Sequence, residues 1–87
     1  MTTEFAGKVA LVTAAAGLGT GKATARRLAA GGARVVVTDS HERRTREVAE
    51  LLAAEFPQTT VVGHVLDMGD LANIDAVVTE VTRTQGP

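Results

Sequence analysis

The run Lys8 to Thr13 (KVALVT) passes directly into Ala14 to Gly21 (AAAGLGTG), where glycines stand at positions 17, 19 and 21. An apolar, partly β-branched run without polar alternation is what a strand covered on both faces requires, so a central parallel strand is expected there. Three alternating glycines exclude regular structure and mark a loop of special backbone geometry. The loop opens onto Lys22 to Ala30 (KATARRLAA), a stretch of good helix formers. A buried strand, a glycine loop and a helix in immediate succession restrict the chain to the α/β class.

The remainder repeats the alternation of strand and helix. Gly31 and Gly32 give the first helix an exit, Arg34 to Thr38 (RVVVT) forms a second buried strand, and Asp39-Ser40 offers helix-capping chemistry before HERRTREVAELLAAEF. The apolar stripe predicted for that helix is Val48, Leu51, Leu52 and Phe56. Pro57 ends it, Thr60 to Leu66 reads as a third strand, and Asp67 to Asp70 turns the chain again. In the last helix Leu71, Ile74, Val77, Val78 and Val81 recur at spacings of three and four and are expected to face inward, with Asp75, Glu80 and Arg83 toward solvent. The pattern is β-α-β-α-β-α without repeat or linker. Right-handed crossovers then predict a parallel sheet of order 3-2-1, helices on its faces, and strand one at an open edge. In a complete doubly wound, Rossmann-type domain a fourth strand pairs at that edge. Residues 1–87 are accordingly expected to be a partial domain, truncated before strand four.

Length and charge narrow the functions. A chain of 87 residues holds one small domain, whereas nucleotide-dependent α/β enzymes usually need about two to three times as much. Nine Lys and Arg against ten Asp and Glu give no general attraction to nucleic acid or to an anionic membrane. The absence of cysteine excludes a disulfide framework, a thiolate metal site and a Cys nucleophile. Met1 to Lys8 has no apolar run suited to a signal peptide and no stretch is long enough for a membrane span, so a cytoplasmic protein is expected. His41 and His64 lack partner patterns, and no metal site is assigned.

Three segments carry ligand chemistry. Gly17, Gly19 and Gly21 remove the side chains that would block a pyrophosphate, and the following helix directs its positive N-terminal end toward the same place. Asp39 stands at the end of strand two, 18 residues beyond Gly21, near the separation of an acid that accepts from the ribose hydroxyls of an adenosine; capping the next helix is its alternative role. Such a carboxylate repels a 2′-phosphate and favours NAD over NADP, while Lys22, Arg43 and Arg44 could argue the reverse. Asp67 and Met68, at the end of strand three, suit an adenine amino group and ring, with helix capping again open for Asp67.

The segment GKVALVT with the glycine loop and ATARRL resembles the opening of the short-chain dehydrogenase/reductase family. VVVTDSHERR resembles that family's second strand and acidic terminus, VLDMGD its adenine-contacting segment, and TQGP the approach to strand four, so all 87 residues are covered. The loop is similar to a TAAAGxGxG subgroup and departs from the usual T-G-x-x-x-G-x-G by one extra residue and Ala14 in place of the first glycine; Thr20 stands where Ile is common. The resemblance implies dinucleotide contacts at Gly17, Leu18, Gly19, Thr20, Gly21, Asp39, Asp67 and Met68. It implies a parent NAD(P)-dependent oxidoreductase acting on an alcohol or carbonyl substrate, a homo-oligomer at full length. The family's N-N-A-G segment, catalytic Ser and Y-x-x-x-K come later in the chain, and no Tyr occurs here, so residues 1–87 alone are expected to be inactive. A stand-alone, non-catalytic nucleotide-binding or interaction module assembled through the open strand edge is the alternative.

Overall fold

The computed structural model describes residues 4–13, 20–67 and 69–85, without the side chain of Thr20. The elements in chain order are β1 (Val9–Val12), α1 (Thr20–Ala30), β2 (Arg34–Asp39), α2 (Glu42–Glu55), β3 (Val61–Val65) and α3 (Leu71–Gln85). Each strand reaches the next through a helix, and all three are parallel in the order β1-β2-β3. The register sets Val9 opposite Arg34 and Val12 opposite Val37 on one side of β2, and Val35 opposite Val61 and Asp39 opposite Val65 on the other.

The valines of β2 explain why the sheet is covered twice. Side chains alternate between faces along a strand, so Val35 and Val37 join the α1 and α2 side while Val36 joins the α3 side. On the first side they meet Ala25, Ala29, Val48, Ala49 and the wholly buried Leu52. On the second, Val36 and Leu66 pack with Val77 and Val81, flanked by Val9, Leu11, Val62 and Ile74. This is an α/β Rossmann-like arrangement with helices on both faces of a parallel sheet.

Local chemistry sets the helix ends. α1 begins at Thr20 rather than Lys22, so Gly21 lies in its first turn and not in the loop. The low helix propensity of one glycine, about 1 kcal/mol, is offset by the alanine-rich turns that follow. Its other end closes as the glycine pair requires. Gly32 takes φ +93°, its N–H donates to Ala29 O at 3.0 Å, and the Ala33 N–H donates to Leu28 O at 3.1 Å, which satisfies carbonyls that the last helical turn leaves open.

The buried stripe of α2 is Thr45, Val48, Ala49 and Leu52, whereas Leu51, predicted to lie in it, is 47% exposed. One residue is about 100° of helix rotation, so only one of two adjacent leucines can meet the sheet squarely. α2 approaches β3 closely at Gly63, where a Cβ would stand 3.1 Å from that of Ala49 and 3.2 Å from the Thr45 carbonyl oxygen. In α3, Val77 and Val81 are buried as expected, but Leu71 and Val78 are 79% and 50% exposed. The inward facing expected of these two from the helical period is therefore not observed; among the described residues no element covers that flank.

Candidate functional site

Parallel strands bring their carboxyl ends to one rim. Val12, Asp39 and Val65 end the three strands there, and α1 starts from the same rim after β1. A cleft of about 260 Å³ opens at this rim, lined by Thr13, Thr38, Asp39, Ser40, Leu66, Asp67 and Gly69. Larger clefts lie elsewhere among the described residues. One of about 530 Å³ includes Arg34, Thr60 and Gln85 at the opposite end of the sheet, and one of about 440 Å³ runs between α2 and β3. Ligands of open parallel sheets bind outside the strand carboxyl ends, which favours the smallest of these three.

The rim is fixed by a buried hydrogen bond. The Thr38 hydroxyl, fully shielded from solvent, donates to Val12 O at 2.8 Å and ties the last residue of β1 to β2 just ahead of the glycine segment. Asp39 is half-buried at the end of β2. Its Oδ1 accepts from the His41 N–H at 3.2 Å, and its carbonyl accepts from the Leu66 N–H at 2.9 Å.

Asp39 and Ser40 do not cap α2. His41 does: in extended backbone geometry, its Nδ1 accepts from the Arg44 N–H at 3.2 Å. β2 runs through Asp39 and the helix begins at Glu42, so the residue adjacent to the first turn is the histidine, and a neutral imidazole presents the lone pair that a cap needs. Arg43, one of the basic residues that could suit a 2′-phosphate, pairs with Glu47 at 3.3 Å on the exposed face of α2.

Asp67 is likewise not the cap of α3. Asp70 Oδ1 accepts from the Asn73 N–H at 3.2 Å, the bond expected of a residue directly ahead of Leu71. Asp67 Oδ1 accepts from the Gly69 N–H at 2.9 Å, while its own N–H donates to Asn73 Oδ1 at 2.6 Å. Asp39 and Asp67 are thus brought to one cleft, each with a carboxylate oxygen engaged by a backbone N–H two residues on. Gly21 is in the first turn of α1, and Thr20 is its first residue. Gly17, Leu18, Gly19 and Met68 lie outside the described residues.

The supporting roles of Thr38, His41 and Asn73 escaped the sequence reading. A buried threonine on a valine strand carries no local signal, and a histidine cap is uncommon. The Asn73 contact depends on the path of the turn, not on spacing. Away from the rim, the Arg83 guanidinium hydrogen-bonded to Glu80 at 2.6 Å holds that carboxyl below its ordinary pKa, with His64 on β3 a lesser contributor. Among the described residues no three His, Cys, Asp or Glu side chains are grouped to hold a metal ion, and no helix is long and apolar enough to cross a membrane.

A parallel sheet covered by helices on both faces, with a glycine in the first turn of α1 and two acidic residues at its carboxyl rim, is a Rossmann-like α/β fold. The family model for short chain dehydrogenases matches residues 8–87, and the chain belongs to that family. It is 48% identical over 80 residues to the (5R,7aS)-5-hydroxy-7a-methyl-1-oxo-2,3,5,6,7,7a-hexahydro-1H-indene-carboxyl-CoA reductase of Mycobacterium tuberculosis, covering 92% of this chain and 30% of that protein. It is 35% identical to levodione reductase of Leifsonia aquatica, covering 98% of this chain and 32% of the relative. Among solved structures, a short chain dehydrogenase from Mycobacterium smegmatis superposes with TM-score 0.89 at 42% identity, covering 97% of this chain and 34% of that one. L-sorbose reductase from Gluconobacter frateurii, solved with NADPH and L-sorbose, gives 0.86 at 31% identity, covering 99% and 32%. The chain therefore spans about a third of the length of these relatives.

Proposed function

We propose that residues 1–87 are the dinucleotide-binding part of an oxidoreductase that transfers hydride between a nicotinamide cofactor and an alcohol or carbonyl substrate. The convergence of Asp39 and Asp67 on the cleft beside the start of α1 carries this reading. The residue types in these segments suit an adenosine pyrophosphate, with glycine N–H groups for the phosphates and carboxylates for the ribose and the adenine amino group. Gly17, Leu18, Gly19, Thr20 and Gly21 would hold the pyrophosphate at the helix N-terminus, Asp39 the ribose hydroxyls, and Asp67 with Met68 the adenine. The bound dinucleotide supplies hydride chemistry at its nicotinamide; the residues of this chain bind and orient its other end.

Asp39 favours NAD, because a carboxylate facing a 2′-phosphate meets like charge. Catalytic residues are assigned to the remainder of a full-length protein, where a fourth strand would pair along the outer edge of β1 and complete a doubly wound sheet of order 3-2-1-4. The matches to reductases support this enzyme over a non-catalytic module. The same reading implies a cytoplasmic homo-oligomer with a small alcohol or ketone as substrate.

The test uses the full-length protein with NADH or NADPH deuterated at the transferable nicotinamide position and a panel of cyclic and linear ketones. Deuterium is expected in the alcohol product. A protein that oxidises neither nucleotide with any ketone, and reduces neither oxidised form with the matching alcohols, would overturn the assignment.

A further inference from the structure

We propose that Asn73 is a positioning residue for base recognition: by accepting the Asp67 main-chain N–H it aims the Asp67 carboxylate, and so sets preference for adenine over a 6-oxo purine. The proposal rests on the assignment of Asp67 to the adenine amino group.

The geometry is a closed set of short bonds. Asn73 Oδ1 accepts from Asp67 N at 2.6 Å; Asp70 Oδ1 accepts from Asn73 N at 3.2 Å; the Asp67 carbonyl accepts from Asp70 N at 3.1 Å; and Asp67 Oδ1 accepts from Gly69 N at 2.9 Å. Asn73 belongs to α3, which is anchored to the sheet through Ile74, Val77 and Val81. It therefore transmits the position of a packed helix to an exposed turn. Asp67 is itself exposed, so water can replace the lost acceptor when Asn73 is truncated, and folding stability should change little. What changes is the freedom of the Asp67 backbone, and with it the direction of the carboxylate.

A carboxylate accepts hydrogen bonds only. Adenine presents an amino donor at position 6; hypoxanthine presents a carbonyl oxygen there, which meets the carboxylate with like polarity. Preference between NAD and nicotinamide hypoxanthine dinucleotide thus reads the aim of Asp67 directly. Being a ratio of two affinities measured on the same folded molecules, it is insensitive to a modest loss of folded protein.

The experiment is calorimetric titration of the full-length protein with both dinucleotides. The unsubstituted protein should prefer NAD by about tenfold, the scale of one hydrogen bond to a charged group. Asp67→Asn, which keeps an oxygen for Gly69 and adds a donor, should abolish or invert the preference. Asn73→Ala should reduce it to about threefold or less, and Asn73→Asp, which retains an acceptor, should restore most of it. An unchanged preference in Asn73→Ala alongside its loss in Asp67→Asn would overturn the role of Asn73 and leave the Asp67 assignment standing. Loss in Asn73→Ala with no recovery in Asn73→Asp would indicate general loosening of α3 and also overturn it. An unchanged preference in Asp67→Asn, or no binding of either dinucleotide, would remove the Asp67 assignment and the proposal together.

Discussion

Leu52→Ala is expected to destabilise the full-length protein by about 2–5 kcal/mol, seen as a lower urea midpoint without a change in slope. Leu52 is wholly buried and, among the described residues, the largest such side chain. It sits on α2 in the larger of the two core clusters, which also holds Ala29, Val35, Val37 and Val61. Truncation removes the burial of three carbons and leaves a cavity that neighbouring alanines and valines are too short to fill. The Arg26–Glu55 pair that bridges α1 and α2 at 3.1 Å is exposed at both ends and can offset little of this loss. α2 also begins at the His41 cap beside Asp39, so loosening it should weaken dinucleotide binding as well. A loss below about 1 kcal/mol would mean that α2 is not held through this contact.

Asp39→Ala is expected to weaken NAD binding by about ten- to a hundredfold, the scale of a charge-assisted hydrogen bond at about 1.4 kcal/mol per factor of ten. NADP binding should be unchanged or improve, because the like charge facing its 2′-phosphate is gone, and the preference for NAD should narrow or reverse. Asp39→Asn serves as the structural control: it keeps an oxygen to accept the His41 N–H while removing the charge. The NADPH complex of the related L-sorbose reductase makes the comparison informative, since it shows that a relative of this fold takes the phosphorylated cofactor. Equal affinity for both nucleotides before and after the substitution, measured by calorimetry, would remove Asp39 from the ribose site.

Much of this architecture is legible from side-chain periodicity. The valine run of β2 announces a strand buried on both faces, and Val35, Val36 and Val37 are indeed divided between the two clusters. The glycine pair after α1 announces its end, and Gly32 has the positive φ that such an end uses. Periodicity fails where the environment decides which apolar residue is covered. Leu51 and Leu52 are chemically identical, and only the rotation of α2 on the sheet separates the exposed one from the buried one. Leu71 and Val78 satisfy the helical pattern of α3, yet burial there needs a neighbouring element that the described residues do not provide.

The site divides in the same way. The acidic residues at strand ends are visible because their positions follow from the strands, and both Asp39 and Asp67 line one cleft. Their supports are not visible. Capping by His41 in place of Asp39 or Ser40, and by Asp70 in place of Asp67, turns on a one- to three-residue difference in where each helix starts. The bond from the Asp67 N–H to Asn73 crosses six residues of turn and helix, a separation to which no local pattern refers.

The most direct measurement is an NMR titration of the isotopically labelled full-length protein with NAD and with NADP. Amide signals of Gly21, Asp39, His41, Asp67 and Asn73 are expected to shift together and saturably, most strongly with NAD. Shifts confined to the groove between α2 and β3 or to the opposite end of the sheet, with none at the strand carboxyl ends, would contradict dinucleotide binding at this rim.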